Sequence, residues 1–177
     1  MKKYFLLFLL LANAVMIVVM TKTGATLKTP TTPLGILDLE FAYNISKATI
    51  VTTAWAPNNS LDNIGAAKIN TYLDFIFLLF YTLFLFFASK KIASLSSGIF
   101  SKIGFLIAKG ALLAGFLDVL ENAGMLITLS GNTSNSIALL TTVFSIIKWV
   151  LAILAIIYLI AGLIHLAVKK KMQLLWA

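Results

Sequence analysis

Charged side chains within apolar stretches are the first candidates for chemistry in this sequence. Asp118, Glu121 and Asn122 lie in one apolar stretch, and Lys148 lies in the next. Residues three and four positions apart share a helix face, so the first three would project in the same direction. Because an isolated charge in hydrocarbon is very costly, these groups must pair, bind a proton or serve a function.

Hairpin geometry predicts that Lys148 faces the two acids. The turn between the two stretches centres near residue 133, with Asp118 and Lys148 at about equal distances before and after it. At a rise of about 1.5 Å per residue, both would lie roughly 15–20 Å from the turn. We therefore predict that Lys148 contacts Asp118 or Glu121. One lysine cannot neutralise two acids, so we expect one carboxyl group to be protonated or paired elsewhere.

Other polar residues lie at depths where they could join this buried polar cluster. Asn13 lies near the middle of the first apolar stretch, and Asp74 lies about one turn into the second. Tyr81 follows Asp74 two turns later on the same predicted helix. We treat Asn13, Asp74 and Tyr81 as additional candidate site residues.

The composition identifies the elements that must position these residues. Hydrophobic types make up 60% of the 177 residues and charged types only 11%, whereas a soluble domain is about 45–50% apolar. The chain has no cysteine, which excludes disulfides and thiolate chemistry. All 14 basic residues are lysines, so no arginine can bind phosphate or carboxylate in a bidentate manner. These features predict an integral membrane protein.

Four apolar stretches predict an all-α, four-transmembrane-helix bundle in a single membrane domain, residues 1–177. The predicted spans are residues 4–20, 70–88, 103–129 and 137–168, with an outer loop at residues 21–69. The first span resembles a signal peptide, but its apolar run continues without a break to Met20. We therefore interpret it as an uncleaved anchor.

Lysines flank the spans on one side of the predicted membrane. They occur before the first span, between the second and third, and after the fourth, at positions 2, 3, 90, 91, 102 and 169–171. The positive-inside rule then predicts that both termini are cytoplasmic, in a bacterial cytoplasmic (inner) membrane. Lysines in these positions are better explained by a role in setting membrane orientation than by nucleic-acid binding. Binding of anionic lipid headgroups on the cytoplasmic side is an alternative role.

The loop between the first two spans has the composition of a structured segment. Thr32 and Pro33 indicate a helix start, and Ser60 could cap the helix that enters the second span. Trp55 would suit the headgroup level of the membrane. We therefore predict that the outer loop is helical and lies at the interface or on the bundle.

The sequence lacks the common catalytic motifs. The sequence has no metalloprotease, nucleophile-elbow or P-loop motif. Asp74 and Asp118 lack the tyrosine and glycines that precede the aspartates of intramembrane aspartyl proteases. With one histidine and no cysteine, few nucleophile–base pairs are available. We expect no enzyme activity, no catalytic residues, no metal site and no cofactor.

Four short motifs resemble an uncharacterised group of small bacterial four-helix integral membrane proteins. The resemblance covers residues 30–165, and its motifs are Pro33…Glu40, Ala54-Trp55, Leu73-Asp74-x-x-Phe77 and Asp118-x-x-Glu121-Asn122. It implies a helical bundle with a polar centre and no particular activity. It also adds Glu40 to the candidate site residues and marks Trp55 and Asp74 for testing.

Three functions are compatible with these features. The first is a non-enzymatic accessory or assembly component, acting with a membrane-protein partner or as a homo-oligomer, in which the cluster fixes helix pairing. The second is a proton- or small-cation-coupled transporter or sensor that uses Asp118, Glu121 and Lys148. The third is a membrane immunity or signalling protein that acts through its outer loop.

Overall fold

The computed structural model describes residues 4–56 and 62–175, with side chains described as far as residue 168. Within these ranges the chain is helical and has no strand. The helices are α1 (Phe5–Thr23), α2 (Ile36–Glu40), α3 (Ile45–Ala54), α4 (Asn63–Leu95), α5 (Gly98–Leu129) and α6 (Asn135–Leu175). The predictions for Lys2, Lys3, Ser60 and the side chains of residues 169–171 fall outside the described residues.

Four of the helices are long and apolar enough to cross a membrane, as predicted. They are Phe5–Thr23, Asn63–Leu95, Gly98–Leu129 and the part of α6 from Asn135 to Val168. Large apolar side chains such as Leu11, Leu106 and Ile157 are exposed on their outward faces. Such faces are typical of helices that contact lipid, which indicates an integral membrane protein.

The long helices alternate in direction. Helices α4, α5 and α6 pack on one another, whereas α1 packs mainly along α4. Phe5 and Phe8 of α1 meet Phe87 and Phe80 of α4 edge to face, at centroid distances of 5.3 and 6.2 Å. Near the other end of α1, the Asn70 amide donates to the Met20 carbonyl at 3.0 Å. The bundle is therefore a three-helix core with α1 added on one side.

The two ends of the bundle differ in what they carry. The described part of the α1–α4 connection (residues 24–56 and 62) and the α5–α6 turn (residues 130–134) lie at one end, here called the connection end. The start of α1, the α4–α5 turn and the end of α6 lie at the other, here called the terminal end.

Glycines allow the helices of the core to approach closely. A Cβ atom at Gly115 of α5 would clash with Thr82 of α4, and one at Gly104 would clash with Tyr158 of α6. Small residues at such crossings let helix backbones come together and gain packing contacts along their length. These contacts hold α4, α5 and α6 at the spacing that the polar side chains require.

The connection folds onto its end of the bundle around Trp55. The indole is fully buried among apolar side chains that include Leu39, Met125 and Leu129. Its N–H donates to the Leu27 carbonyl at 2.9 Å. The ring is therefore surrounded by protein, and its location at the headgroup level stays a prediction.

The helix starts in the connection also differ from those expected. Helix α2 begins at Ile36, after Gly35 at φ 68°, and not at Pro33. A positive φ is readily adopted by glycine and turns the chain directly into α2. Helix α4 begins at Asn63, with the Asp62 carboxylate accepting from Gly65 N–H at 2.8 Å. Asp62 therefore caps the start of α4.

Candidate functional site

Lys148 of α6 is the centre of a buried ionic cluster. Its Nζ lies 3.0 Å from Asp118 Oδ1 and 2.8 and 2.7 Å from Oε1 and Oε2 of Glu121. All three side chains are buried, and Glu121 has no exposed surface. The predicted pairing across the α5–α6 hairpin is confirmed, and Lys148 contacts both acids rather than one.

A third carboxylate reaches this cluster from the α1–α4 connection. Glu40, the last residue of α2, places Oε2 3.7 Å from Lys148 Nζ. The same oxygen accepts hydrogen bonds from Ser145 Oγ at 2.9 Å and Trp149 Nε1 at 3.1 Å. The Glu40 carbonyl accepts from Thr142 Oγ1 at 2.9 Å. Helix α2 is therefore anchored to α6 by both the side chain and the backbone of one residue.

Helix α4 contributes a fourth carboxyl group and a phenol. Tyr81 donates its hydroxyl to Asp118 Oδ2 at 2.6 Å, on the side of Asp118 away from Lys148. The Asn122 amide donates to Asp74 Oδ2 at 2.7 Å. Glu40, Asp74, Asp118, Glu121 and Lys148 are here called the carboxylate cluster, to which three long helices and α2 contribute.

One predicted site residue lies apart from this cluster. Asn13 is buried on α1, and its amide donates to the Leu9 carbonyl at 2.7 Å within the same helix. Helix α1 packs mainly on α4, so its polar residue does not reach the α5–α6 pair. The structure therefore does not bring Asn13 to the site, although it brings there all the others: Glu40, Asp74, Tyr81, Asp118, Glu121, Asn122 and Lys148.

A cavity of about 140 Å³ adjoins the cluster beneath α2. Its wall has contributions from α1, α2, α4, α5 and α6. Glu40, Asp74 and Asn122 line it, together with the aromatic rings of Phe77 and Trp149. Lys148 is not part of this wall, so the cavity meets the acidic side of the cluster.

Asn122 has one polar atom whose partner is missing. It is fully buried, and its amide oxygen accepts no hydrogen bond from the described residues. The amide nitrogen is occupied by Asp74. A buried acceptor without a donor costs free energy, so such an atom at a cavity wall is a candidate contact for a bound group.

The sequence patterns did not point to Trp149 or Thr142 as members of the site. Trp149 directly follows Lys148, and neighbouring residues on a helix point about 100° apart, so the pattern gives no reason to group them. Both residues contact Glu40, which comes from a distant segment of the chain. Only the position of α2 reveals their role.

Comparisons with models of protein families, with curated proteins and with solved structures find no match.

The arrangement is suited to holding positive charge. Within the described part of the chain, three carboxyl groups lie within 4 Å of a single ammonium group. A fourth, Asp74, accepts a hydrogen bond from Asn122, which is next to Glu121 in α5. No three acidic or histidine side chains come together there in an arrangement that would hold a metal ion. Hydrogen-bond donors from Tyr81, Ser145 and Trp149 stabilise two of the carboxylates, but they add no charge.

Proposed function

We propose that this chain is a non-enzymatic membrane protein that binds a proton or a small cation at the carboxylate cluster and couples that binding to transport or sensing. The observation that carries the proposal is the excess of carboxyl groups around Lys148. Asp118 and Glu121 form ion pairs with Lys148, with distances of 2.7–3.0 Å between Nζ and the carboxylate oxygens. Glu40 lies farther from the same Nζ, at 3.7 Å. Asp74 accepts a hydrogen bond from Asn122 and forms no ion pair with Lys148.

The surplus of acid must be neutralised in a site that is shielded from water. Of the two acids that lie farther from Lys148, Glu40 is 6% exposed and Asp74 is partly buried. Transferring an ionised carboxylate to such surroundings without a counter-charge is so costly that the group takes up a proton or binds a cation instead. The cluster therefore supports reversible uptake of positive charge, and the adjoining cavity supports access to Glu40 and Asp74.

The same side chains link separate elements, which supports coupling. Glu40 ties α2 to α6, Tyr81 ties α4 to α5, and Lys148 ties α6 to α5. A change of charge on one carboxyl group would alter the hydrogen bonds that hold these elements together. Binding at the cluster would thus shift the packing of α2 on the bundle.

The lysine distribution supports an orientation for this site. With both termini in the cytoplasm of a bacterial cell, the connection end and its cavity would face the outside of the inner membrane. The cluster would then sense or admit cations from the outer side.

The proposal is tested with Trp149 as a built-in reporter, because its indole N–H donates to Glu40. The protein is placed in phosphatidylcholine nanodiscs, and tryptophan emission is followed from about pH 4 to about pH 9. We expect the emission to change with pH, Trp149→Phe to abolish the change and Glu40→Gln to reduce it. The matched control is Asp38→Asn, which alters an acid of the same short helix outside the cluster.

An emission spectrum that is independent of pH, or one whose pH dependence persists unchanged in Glu40→Gln, would contradict the proposal. Coupling is tested separately in sealed liposomes by a pH jump with an internal pH dye. The wild type should take up protons and Asp118→Asn should not, while the variant retains the helical circular dichroism of the wild type.

A second candidate is an accessory or assembly component in which the cluster is structural. The observation that favours it is that Lys148 is held by carboxylates of α2 and α5 at once, which fixes three elements in register. Under this alternative, emission would not respond to pH. Stable co-purification of a membrane partner in mild detergent would support it.

A further inference from the structure

The cavity beneath α2 presents acceptors on its polar side. Glu40 and Asp74 line it with carboxyl groups, and each has one oxygen, Oε1 and Oδ1, that accepts no hydrogen bond from the described residues. Asn122 adds the buried amide oxygen that has no donor. A ligand at this wall must therefore supply N–H or O–H donors and positive charge.

The other walls are apolar and aromatic. Phe77 and Trp149 line the cavity from α4 and α6, and Met20 and Met125 line it from α1 and α5. Aromatic faces attract organic cations, and methionine side chains adapt to irregular apolar groups. This side of the cavity favours a ligand with a hydrocarbon part over a bare ion.

Size and geometry narrow the ligand further. A volume of about 140 Å³ is many times the roughly 10–15 Å³ that one water needs, so several non-hydrogen atoms fit. No acidic or histidine triad in the described ranges is arranged to hold a metal ion. An alkali or alkaline-earth ion would need several oxygens around a single point, whereas an ammonium group needs only acceptors on one side.

From these observations we infer that the cavity binds a small primary ammonium ion with a short hydrocarbon tail. The ammonium group donates to Asp74, Glu40 and the Asn122 amide oxygen, and the tail lies against Phe77 and Trp149. This inference rests on the proposed function and names the cation that the site accepts. Asp74 is the main anionic contact, because it is farther from Lys148 than the other acids and only partly buried.

The experiment titrates the protein in phosphatidylcholine nanodiscs with n-butylammonium chloride at constant pH and ionic strength. Trp149 lines the cavity, so its emission reports occupancy. Three comparison compounds separate the contributions of the hydrocarbon tail, the positive charge and the N–H donors. n-Butanol has the tail without the charge, tetramethylammonium has the charge without N–H donors, and sodium has neither tail nor donors. We expect a saturable change with n-butylammonium, a weaker one with tetramethylammonium and none with n-butanol or sodium.

Asp74→Asn tests the anionic contact. It should raise the apparent Kd for n-butylammonium by roughly tenfold or more, the weight of one charge-assisted hydrogen bond. The matched control is Asp62→Asn, which alters an exposed acid at the start of the same helix and should leave the Kd unchanged. The comparison of n-butylammonium with n-butanol uses the wild type alone, so it holds even where a variant folds poorly.

An equal response to n-butanol, an equal response to sodium or an unchanged Kd in Asp74→Asn would overturn the inference. A preserved pH response of Trp149 without any response to n-butylammonium would remove the ammonium site and leave the proton site standing. Loss of both responses would remove the proposed function as well.

Discussion

The two ends of the bundle are built from the same long helices but are held together differently. Near the connection end, α5 and α6 meet through Lys148, Asp118 and Glu121, with Nζ to oxygen distances of 2.7–3.0 Å. Near the terminal end, they meet through apolar and aromatic side chains, such as Phe100 stacked on Tyr158 at 4.8 Å. The first contact depends on charge, whereas the second depends on shape.

The cavities follow the same division. The cavity at the connection end is about 140 Å³ and has Glu40 and Asp74 in its wall. A cavity of about 410 Å³ near the terminal end lies among α1, α4 and α6, and its lining is apolar apart from Lys91. Of these two cavities, only the one at the connection end has carboxyl groups in its wall. Variants in the two regions should therefore differ in kind as well as in size.

The largest effect is expected from removal of the central cation. Lys148→Met leaves Asp118 and Glu121 buried without their counter-charge, which should destabilise the fold by about 3–5 kcal/mol. Unfolding in mixed micelles with increasing SDS, followed by circular dichroism, measures this change. The control Lys109→Met alters an exposed lysine of α5 and should cost less than about 0.5 kcal/mol.

Wild-type stability in Lys148→Met would show that the ion pairs are not needed for the fold. A sharper form of the test adds Asp118→Asn and Glu121→Gln to the same chain. Removing the charges together should recover part of the lost stability, because the cost comes from unpaired charge rather than lost packing.

A mutation that creates a new cavity near the terminal end should destabilise the fold but leave the carboxylate cluster intact. Leu85→Ala removes a buried side chain of the terminal half and should cost about 2–3 kcal/mol. The pH response of Trp149 should keep the midpoint of the wild type, because Leu85 is not a member of the cluster. Leu79→Ala, at an exposed position of the same helix, is the control for stability. A shifted midpoint in Leu85→Ala would contradict the division into two regions.

The smallest expected effect tests one hydrogen bond at the edge of the cluster. Tyr81→Phe removes the hydroxyl that donates to Asp118 at 2.6 Å and should cost about 1 kcal/mol in the same unfolding assay. Tyr72→Phe, an exposed tyrosine of α4, provides the comparison. Identical behaviour of the two variants would place Tyr81 outside the working site.

The sequence was most informative where partners are close along the chain. Asp118, Glu121 and Lys148 belong to two helices joined by a short turn. The rise per residue is therefore enough to predict that they lie at similar depths. It was least informative for Asn13, whose depth suggested a place in the cluster. Depth does not determine which side of the core a helix occupies, and α1 packs mainly on α4.

By itself, the sequence determined that this protein has four apolar helices and one buried Lys–acid pairing, because hydropathy and helix rise are local properties of the chain. Only the tertiary structure decided that Glu40 enters the bundle beside Ser145 and Trp149 and that a cavity forms against Asp74. The reason is physical. Glu40 belongs to a connection that could fold in many ways, and its position is set by the burial of Trp55 and by contacts with α6 rather than by any pattern near it in the sequence.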